Sequence, residues 1–155
     1  MRIWIDADAC PGDIKTFIFR TARRRNIAVC VVANRHIYIP PSPLISRIRV
    51  APEPDAADRY IAQHVAPNDL VITADIPLAA AVVDRQAIAI DPRGDVYTEE
   101  NVKERLAVRN LIQQLRSDGV VQGGPAQLAA TDRQKFSEAL DRTLTRLLNT
   151  RPQPE

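Results

Sequence analysis

At 155 residues and 45% hydrophobic content, the chain can bury a sizeable core and suits one compact domain with an added tail rather than two separate domains. Its 21 basic and 19 acidic residues leave a formal net charge of +2, too small for bulk electrostatic attraction to nucleic acid, so any basic surface must be local. No apolar run approaches the roughly 20 residues of a membrane span, and no charged start precedes a signal-type apolar stretch, which predicts a cytoplasmic protein with no membrane partner.

The chain then alternates predicted strands and helices. Arg2 to Ile5 reads as a strand, and Pro11 suits the first turn of a helix whose apolar stripe is Ile14, Phe17, Ile18 and Ala22. Arg20, Arg23, Arg24 and Arg25 fall elsewhere on that helix and read as a solvated face. Ala28 to Val32 is a second strand. Asn34 to Ser46, with Pro40, Pro41 and Pro43, reads as a long irregular loop, followed by a short strand from Ile48 to Val50. A helix over Ala56 to Val65, a strand over Leu70 to Thr73, a helix over Pro77 to Asp84 and a strand over Ala87 to Ile90 complete the β-α-β-α pattern. That pattern predicts an α/β fold with a mainly parallel sheet.

After a turn at Asp91 to Asp95, Val96 and Tyr97 are placed as a short edge strand. Thr98 is the expected cap of the next helix, with Glu99 and Glu100 in its first turn and Val102, Leu106, Val108, Leu111, Ile112 and Leu115 as its apolar side. Gly119 to Pro125 reads as a linker. Thr131 and Gln134 have capping-box spacing ahead of a final helix, about 131–148, whose stripe of Phe136, Leu140, Leu144, Leu147 and Leu148 docks on the same domain or on a second copy in a homodimer. Residues 1–150 thus form the expected domain, and Arg151 to Glu155 a frayed end.

The informative recurrence is acidic. Apolar runs end on Asp6 and Asp8, on Thr73 and Asp75, and on Asp91, while Ile48 to Val50 is soon followed by Asp55 and Asp58. In a parallel sheet the carboxyl ends of the strands share one edge, where ligands bind, so acids far apart in sequence can meet there. Several carboxylates in one partly desolvated cleft repel one another, and a hard divalent cation among them relieves that repulsion. The expectation is a metal-dependent, phosphate-processing site.

The remaining reactive residues are isolated. Cys10 and Cys30 show neither a disulfide framework nor zinc-site spacing and read as reduced thiols; Cys10 sits where a helix dipole would lower its pKa. His36 and His64 have no partner spacing.

Asp6-Ala7-Asp8-Ala9-Cys10-Pro11, Pro40-Pro41-Ser42, Asp55-Ala56-Ala57-Asp58, Thr73-Ala74-Asp75-Ile76-Pro77-Leu78-Ala79, Asp91-Pro92-Arg93-Gly94 and Tyr97-Thr98-Glu99-Glu100-Asn101 closely resemble the YaiI/YqxD family of small bacterial proteins, grouped with the PIN-like nucleases. The resemblance covers nearly the whole chain. It implies a three-layer α/β/α PIN-like domain with C-terminal helices, and acidic residues that bind Mg²⁺ or Mn²⁺ and cut RNA. Carried over by motif, Asp6, Asp75 and Asp91 are the acids after three strands, and the middle acid falls on Asp55 or Asp58. Thr73 would orient a carboxylate or the attacking water. Asp8 has no obvious PIN counterpart, and the middle acid of PIN nucleases is usually a Glu.

The metal set is therefore Asp6, Asp8, Asp55, Asp58, Asp75 and Asp91, with Asp6, Thr73, Asp75 and Asp91 catalytic. Arg93, Arg35, Arg47 and Arg49 are candidates to hold phosphates, since guanidinium matches phosphate geometry bidentately. Two other readings stand beside the nuclease. Asp6-Ala7-Asp8 also resembles the Asp-x-Asp pair of haloacid-dehalogenase-like phosphatases, although Lys15, Lys103 and Lys135 are poorly placed for the lysine such enzymes need. A non-catalytic RNA-binding or protein-binding module on the same fold is the third.

Overall fold

The computed structural model describes residues 1–120, 122 and 127–150. Six strands form one sheet: β1 (Arg2–Asp6), β2 (Ala28–Ala33), β3 (Ile45–Arg49), β4 (Leu70–Ile72), β5 (Ile88–Ile90) and β6 (Val96–Tyr97). Their order is β3-β2-β1-β4-β5-β6, with every pairing parallel except that of β5 with β6. The helices are α1 (Gly12–Arg25), α2 (Ala56–His64), α3 (Ile76–Asp84), α4 (Val102–Ser117) and α5 (Ala130–Asn149), and a single 3₁₀ turn, Ala7–Ala9, follows β1.

Strands β1, β2, β4 and β5 are near-continuous apolar runs because both of their faces are covered. Ile3, Ile5, Val29, Val31, Leu70, Ile72 and Ile90 face one layer, packed by Ile14, Ile18 and Ala22 of α1 and by Phe136, Leu140 and Leu144 of α5. Trp4, Cys30, Val32, Val71 and Ala89 face the other, packed by Ala57 and Ile61 of α2 and Leu78, Ala79, Val82 and Val83 of α3. The result is a three-layer α/β/α arrangement. Phe136, Leu140 and Leu144 are fully buried, and burial of such side chains stabilises by about 1.5–3 kcal/mol each, so α5 is an integral layer. No helix among the described residues is long and apolar enough to cross a membrane.

Several local expectations are corrected. The strand expected at Ile48 begins at Ile45 and ends at Arg49, so the irregular loop stops before Ile45. Pro11 is the residue before α1, not part of its first turn. Thr98 does not cap α4: Asn101 is the capping residue, and its side chain accepts from the Thr98 N–H, which leaves Glu99 and Glu100 ahead of the helix. At α5 the reaching acid is Asp132, accepting from the Ala129 N–H, in place of the Thr131 and Gln134 pair. The apolar side expected for α4 is largely uncovered: only Val102 is buried, whereas Val108, Leu111 and Ile112 are exposed. The arginine face of α1 is partly committed, with Arg25 and Arg24 pairing with Asp141 of α5 and Arg23 donating to the Pro41 carbonyl. Of the expected linker, residues 121 and 123–126 lie outside the described residues, as does the tail Arg151 to Glu155.

The turn between β5 and β6 is fixed by close backbone approach. Gly94 has φ +92°, and a Cβ there would lie 2.7 Å from the carbonyl carbon of Lys135 and 2.8 Å from the Phe136 nitrogen. Gly119, φ +76°, faces open space. Gly94→Ala is therefore expected to destabilise the fold by roughly 2–4 kcal/mol, from φ strain plus displacement of α5, against roughly 1 kcal/mol for Gly119→Ala from φ strain alone. Urea denaturation of both variants checks this; equal losses would show that α5 does not clamp the turn.

Candidate functional site

Successive strands are added outward from β1 on one side and outward from β4 on the other, so the switch point where open α/β sheets bind ligands lies at the carboxyl ends of these two parallel strands. Asp6 ends β1 and Thr73 follows β4. Asp6 is only 3% exposed, and Thr73 is fully buried. The Thr73 hydroxyl donates to Asp6 Oδ2 at 3.0 Å and accepts the Asp75 N–H at 3.0 Å. Asp75 caps α3, its Oδ1 accepting from the Leu78 N–H at 3.1 Å. Pro77, in the first turn, gives up no needed donor there. One hydrogen-bonded chain thus ties two strand ends to a helix start.

Asp58, in the first turn of α2, completes the group, its carboxyl within hydrogen-bonding reach of both Asp75 and Asp6. Burial, the Asp75 carboxylate and then the Asp6 carboxylate push Asp58 up to about 8. Burial likewise raises Asp6, with the charges of Asp8 and Asp75 adding to it and hydrogen bonds from Thr73 and Asp58 opposing it. A raised proton affinity at Asp58 and Asp6 is the physical outcome of like charges in a partly desolvated pocket. Among the described residues, no three His, Cys, Asp or Glu side chains are already set as a ligand cage. The donors nevertheless suit a hard cation in kind. Asp6 and Asp75 each commit one oxygen to the hydrogen bonds above and keep the other, and Asp58 adds a third carboxylate.

The structure treats the other sequence candidates differently. Asp8 is exposed on the 3₁₀ turn, close enough for its charge to act on Asp6. Asp55 is exposed just ahead of α2 and makes no capping bond. Asp91 is held in its own turn: its Oδ1 accepts from the Arg93 N–H at 2.7 Å, and burial raises it while that bond and the Tyr97 hydroxyl pull it down. Arg93 is paired with Asp132 of α5 at 3.1 Å. Arg47 donates to the Ile37 carbonyl. Arg35, Arg47 and Arg49 line a cleft of only about 30 Å³, room for about one water. The dipole argument for Cys10 is overturned, because burial pushes its thiol up to about 12; Cys30 is also buried and raised. His36 lies beside Arg47, and His64 stacks on Tyr60.

Sequence reasoning missed Asp69. This acid, 6% exposed, accepts from the Arg2 N–H, the Trp4 indole N–H and the Ala66 N–H, at 3.0, 3.0 and 2.9 Å. It joins the amino ends of β1 and β4, opposite the acidic site. Its local sequence, Asn68-Asp69 in a turn, carries no signal for these distant partners.

The crowding of Asp58 has a measurable consequence. Its folded pKa lies above the ordinary carboxyl value of 3.8, so the folded state holds an extra proton between about pH 4 and about pH 8. The associated stability is complete below the lower limit and is lost as pH rises through the upper one. Asp58→Asn, a neutral isostere, is expected to be more stable than the wild type at about pH 8.5, on the order of 1–2 kcal/mol after solvent screening, with the gap narrowing as pH falls through this window and closed by about pH 4. Thermal denaturation at both pH values checks it; a pH-independent difference would mean that burial and the neighbouring carboxylates do not raise Asp58.

Comparison with known proteins places the chain in a family. A family profile described as "Uncharacterized BCR, YaiI/YqxD family" matches residues 4–146. A UPF0178 protein of Geobacter metallireducens is 56% identical over 148 residues, 96% of each chain. One of Myxococcus xanthus is 50% identical over 152 residues, 98% of this chain and 99% of its own. One of Shewanella sp. ANA-3 is 49% identical over 146 residues, 94% and 97% respectively. No solved structure matches the chain. With a family profile spanning almost all of its length and relatives at about half identity end to end, the chain belongs to the YaiI/YqxD family.

Proposed function

We propose that the protein is a metal-dependent PIN-like nuclease that hydrolyses RNA phosphodiesters at the β1/β4 switch point. The observation that carries this reading is the convergence of Asp6, Asp58 and Asp75, from three separate segments, at the edge where the topology favours ligand binding. An acidic cluster without a counter-cation repels a phosphodiester, so the reading requires Mg²⁺ or Mn²⁺ held by Asp6, Asp58 and Asp75, with Asp8 on the open side. Held there, such an ion would supply an activated water and polarise the phosphoryl oxygen.

The chain's own residues orient the site. The Thr73 hydroxyl spends its one proton on Asp6, which fixes which Asp6 oxygen remains free. The Leu78 N–H does the same for Asp75, within the first turn of α3. Asp58, raised to about 8, holds a proton near neutrality that a bound cation would displace, so cation binding is expected to release protons to the buffer. The phosphatase alternative gains no support, since no lysine bonds to Asp6, Asp58 or Asp75 among the described residues.

Cleavage of a mixed-sequence single-stranded RNA by the full chain in Mn²⁺ tests the reading. The wild type is expected to cut, the Asp6→Asn, Asp75→Asn double variant to be inactive, and Thr73→Val, which removes only the orienting hydroxyl, to lose about 10- to 100-fold. Mn²⁺ binding without cleavage of any RNA would leave a non-catalytic module; full activity of the double variant would contradict the site itself.

A further inference from the structure

We propose that the face of α4 beside Asp75 is the track along which a single-stranded nucleic-acid backbone reaches the acidic site, a reading that rests on the nuclease proposal above and names its binding surface. A groove of about 700 Å³ is lined by Ala74 and Ile76, the residues on either side of Asp75, and by Arg105, Val108, Arg109, Ile112 and Arg116 of α4, among others. Its near end therefore adjoins the segment that carries Asp75. Arg105, Arg109, Ile112 and Arg116 recur at spacings of four, three and four, which places them on one helix face over a length of roughly 16 Å.

Charge makes this face distinctive. The groove face of α4 presents Arg105, Arg109 and Arg116 against the single acid Glu104, so it holds three of the chain's 21 basic residues on one side of one helix. This is the local basic surface that the overall charge conceals. Arg105 is anchored by Asp95 at 3.5 Å and lies over the Tyr97 ring at 5.9 Å, while among the described residues the Arg109 side chain hydrogen-bonds to its neighbour Asn110 and Arg116 has no side-chain hydrogen-bond or ion-pair partner. Between the arginines, Val108 and Ile112 are 49% and 37% exposed, an apolar floor for unstacked base faces beside guanidinium planes that can stack on them. Such a mixture of arginine and aliphatic surface suits a strand with both phosphates and bases accessible. A second copy of the chain fits less well, because an isologous contact sets the same cationic face against itself.

The test is fluorescence anisotropy of a fluorescein-labelled oligouridine of roughly 12 nucleotides with the full chain in EDTA, across a salt series, so that binding is read apart from any cleavage. The wild type is expected to bind. Arg109→Ala, Arg116→Ala is expected to weaken binding at least tenfold and to reduce the salt slope by about 1.4, for two lost phosphate contacts on a single strand. Arg109→Lys, Arg116→Lys should stay within a few-fold of wild type, since tracking phosphates needs the charge. The Asp6→Asn, Asp75→Asn variant should bind no more weakly than wild type. Arg116 is exposed and Arg109 half-buried, and unchanged circular dichroism and melting confirm that the variants fold. Undiminished binding by the alanine variant, or no binding by the wild type, overturns the track. So does sedimentation showing a dimer that Leu111→Glu, Ile112→Glu dissociates, which would assign the face to a second copy. Mn²⁺-dependent cleavage with unimpaired binding by the alanine variant would sink the track alone; α4-dependent binding without cleavage would sink the nuclease reading alone.

Discussion

The hydrogen bond from Thr73 to Asp6 is the constraint around which the site is organised. A carboxylate as buried as Asp6 costs several kcal/mol in an apolar surround unless it is partnered, and the strand that pairs beside it supplies the partner from the residue just past its last ladder position. Because the same hydroxyl accepts the Asp75 N–H, both its donor and acceptor capacities are used. Its orientation is then not free, and the placement of Asp6 fixes that of Asp75 and, through the Leu78 cap, the start of α3. The chain of bonds is short, buried and mutually reinforcing.

The two ends of β1 and β4 show what separates a structural acid from a reactive one. At the amino ends, Asp69 is as buried as Asp6, yet it is surrounded by three N–H donors that satisfy its charge. At the carboxyl ends, Asp58 faces the carboxyl groups of Asp75 and Asp6, which can only raise its proton affinity. One arrangement fastens the sheet; the other stores electrostatic repulsion that a cation would relieve. Beyond the acids, α4 supplies the opposite sign of charge along a groove that begins on either side of Asp75, so the negative and positive surfaces are adjacent and distinct.

Much of this was legible in the chain because its signals are local. Apolar runs of three to five residues ending in acids mark β1, β4 and β5, which are covered on both faces, and parallel pairing then brings Asp6 and Thr73 together. What stayed hidden depends on distant partners. Strand β3 shows only a buried Ile45 followed by mostly exposed residues, and it pairs along one edge, so its start inside a proline-flanked loop carried no hydrophobic pattern. Arg93 looked free until α5 brought Asp132 to it. Cys10 was read from its position near a helix start, and burial outweighed that dipole. The helical periodicity of α4 was correctly seen, yet periodicity does not say whether a stripe is covered, and Leu111 remains 59% exposed. Asp55 and Asp58 are equivalent by spacing; only the folded chain, which sets Asp58 beside Asp75 and Asp6 and leaves Asp55 exposed, selects Asp58.

The central claim is that Asp6, Asp58 and Asp75 form one cation site. The most direct measurement is paramagnetic broadening by substoichiometric Mn²⁺ in amide-resolved NMR spectra of the wild-type chain. The account predicts that the signals of Asp6, Asp58, Thr73 and Asp75 broaden first and together, while those around Asp69, at the far end of the same strands, persist. Broadening that begins at exposed acids such as Glu99 and Glu100, with the β1/β4 edge unaffected, would contradict it.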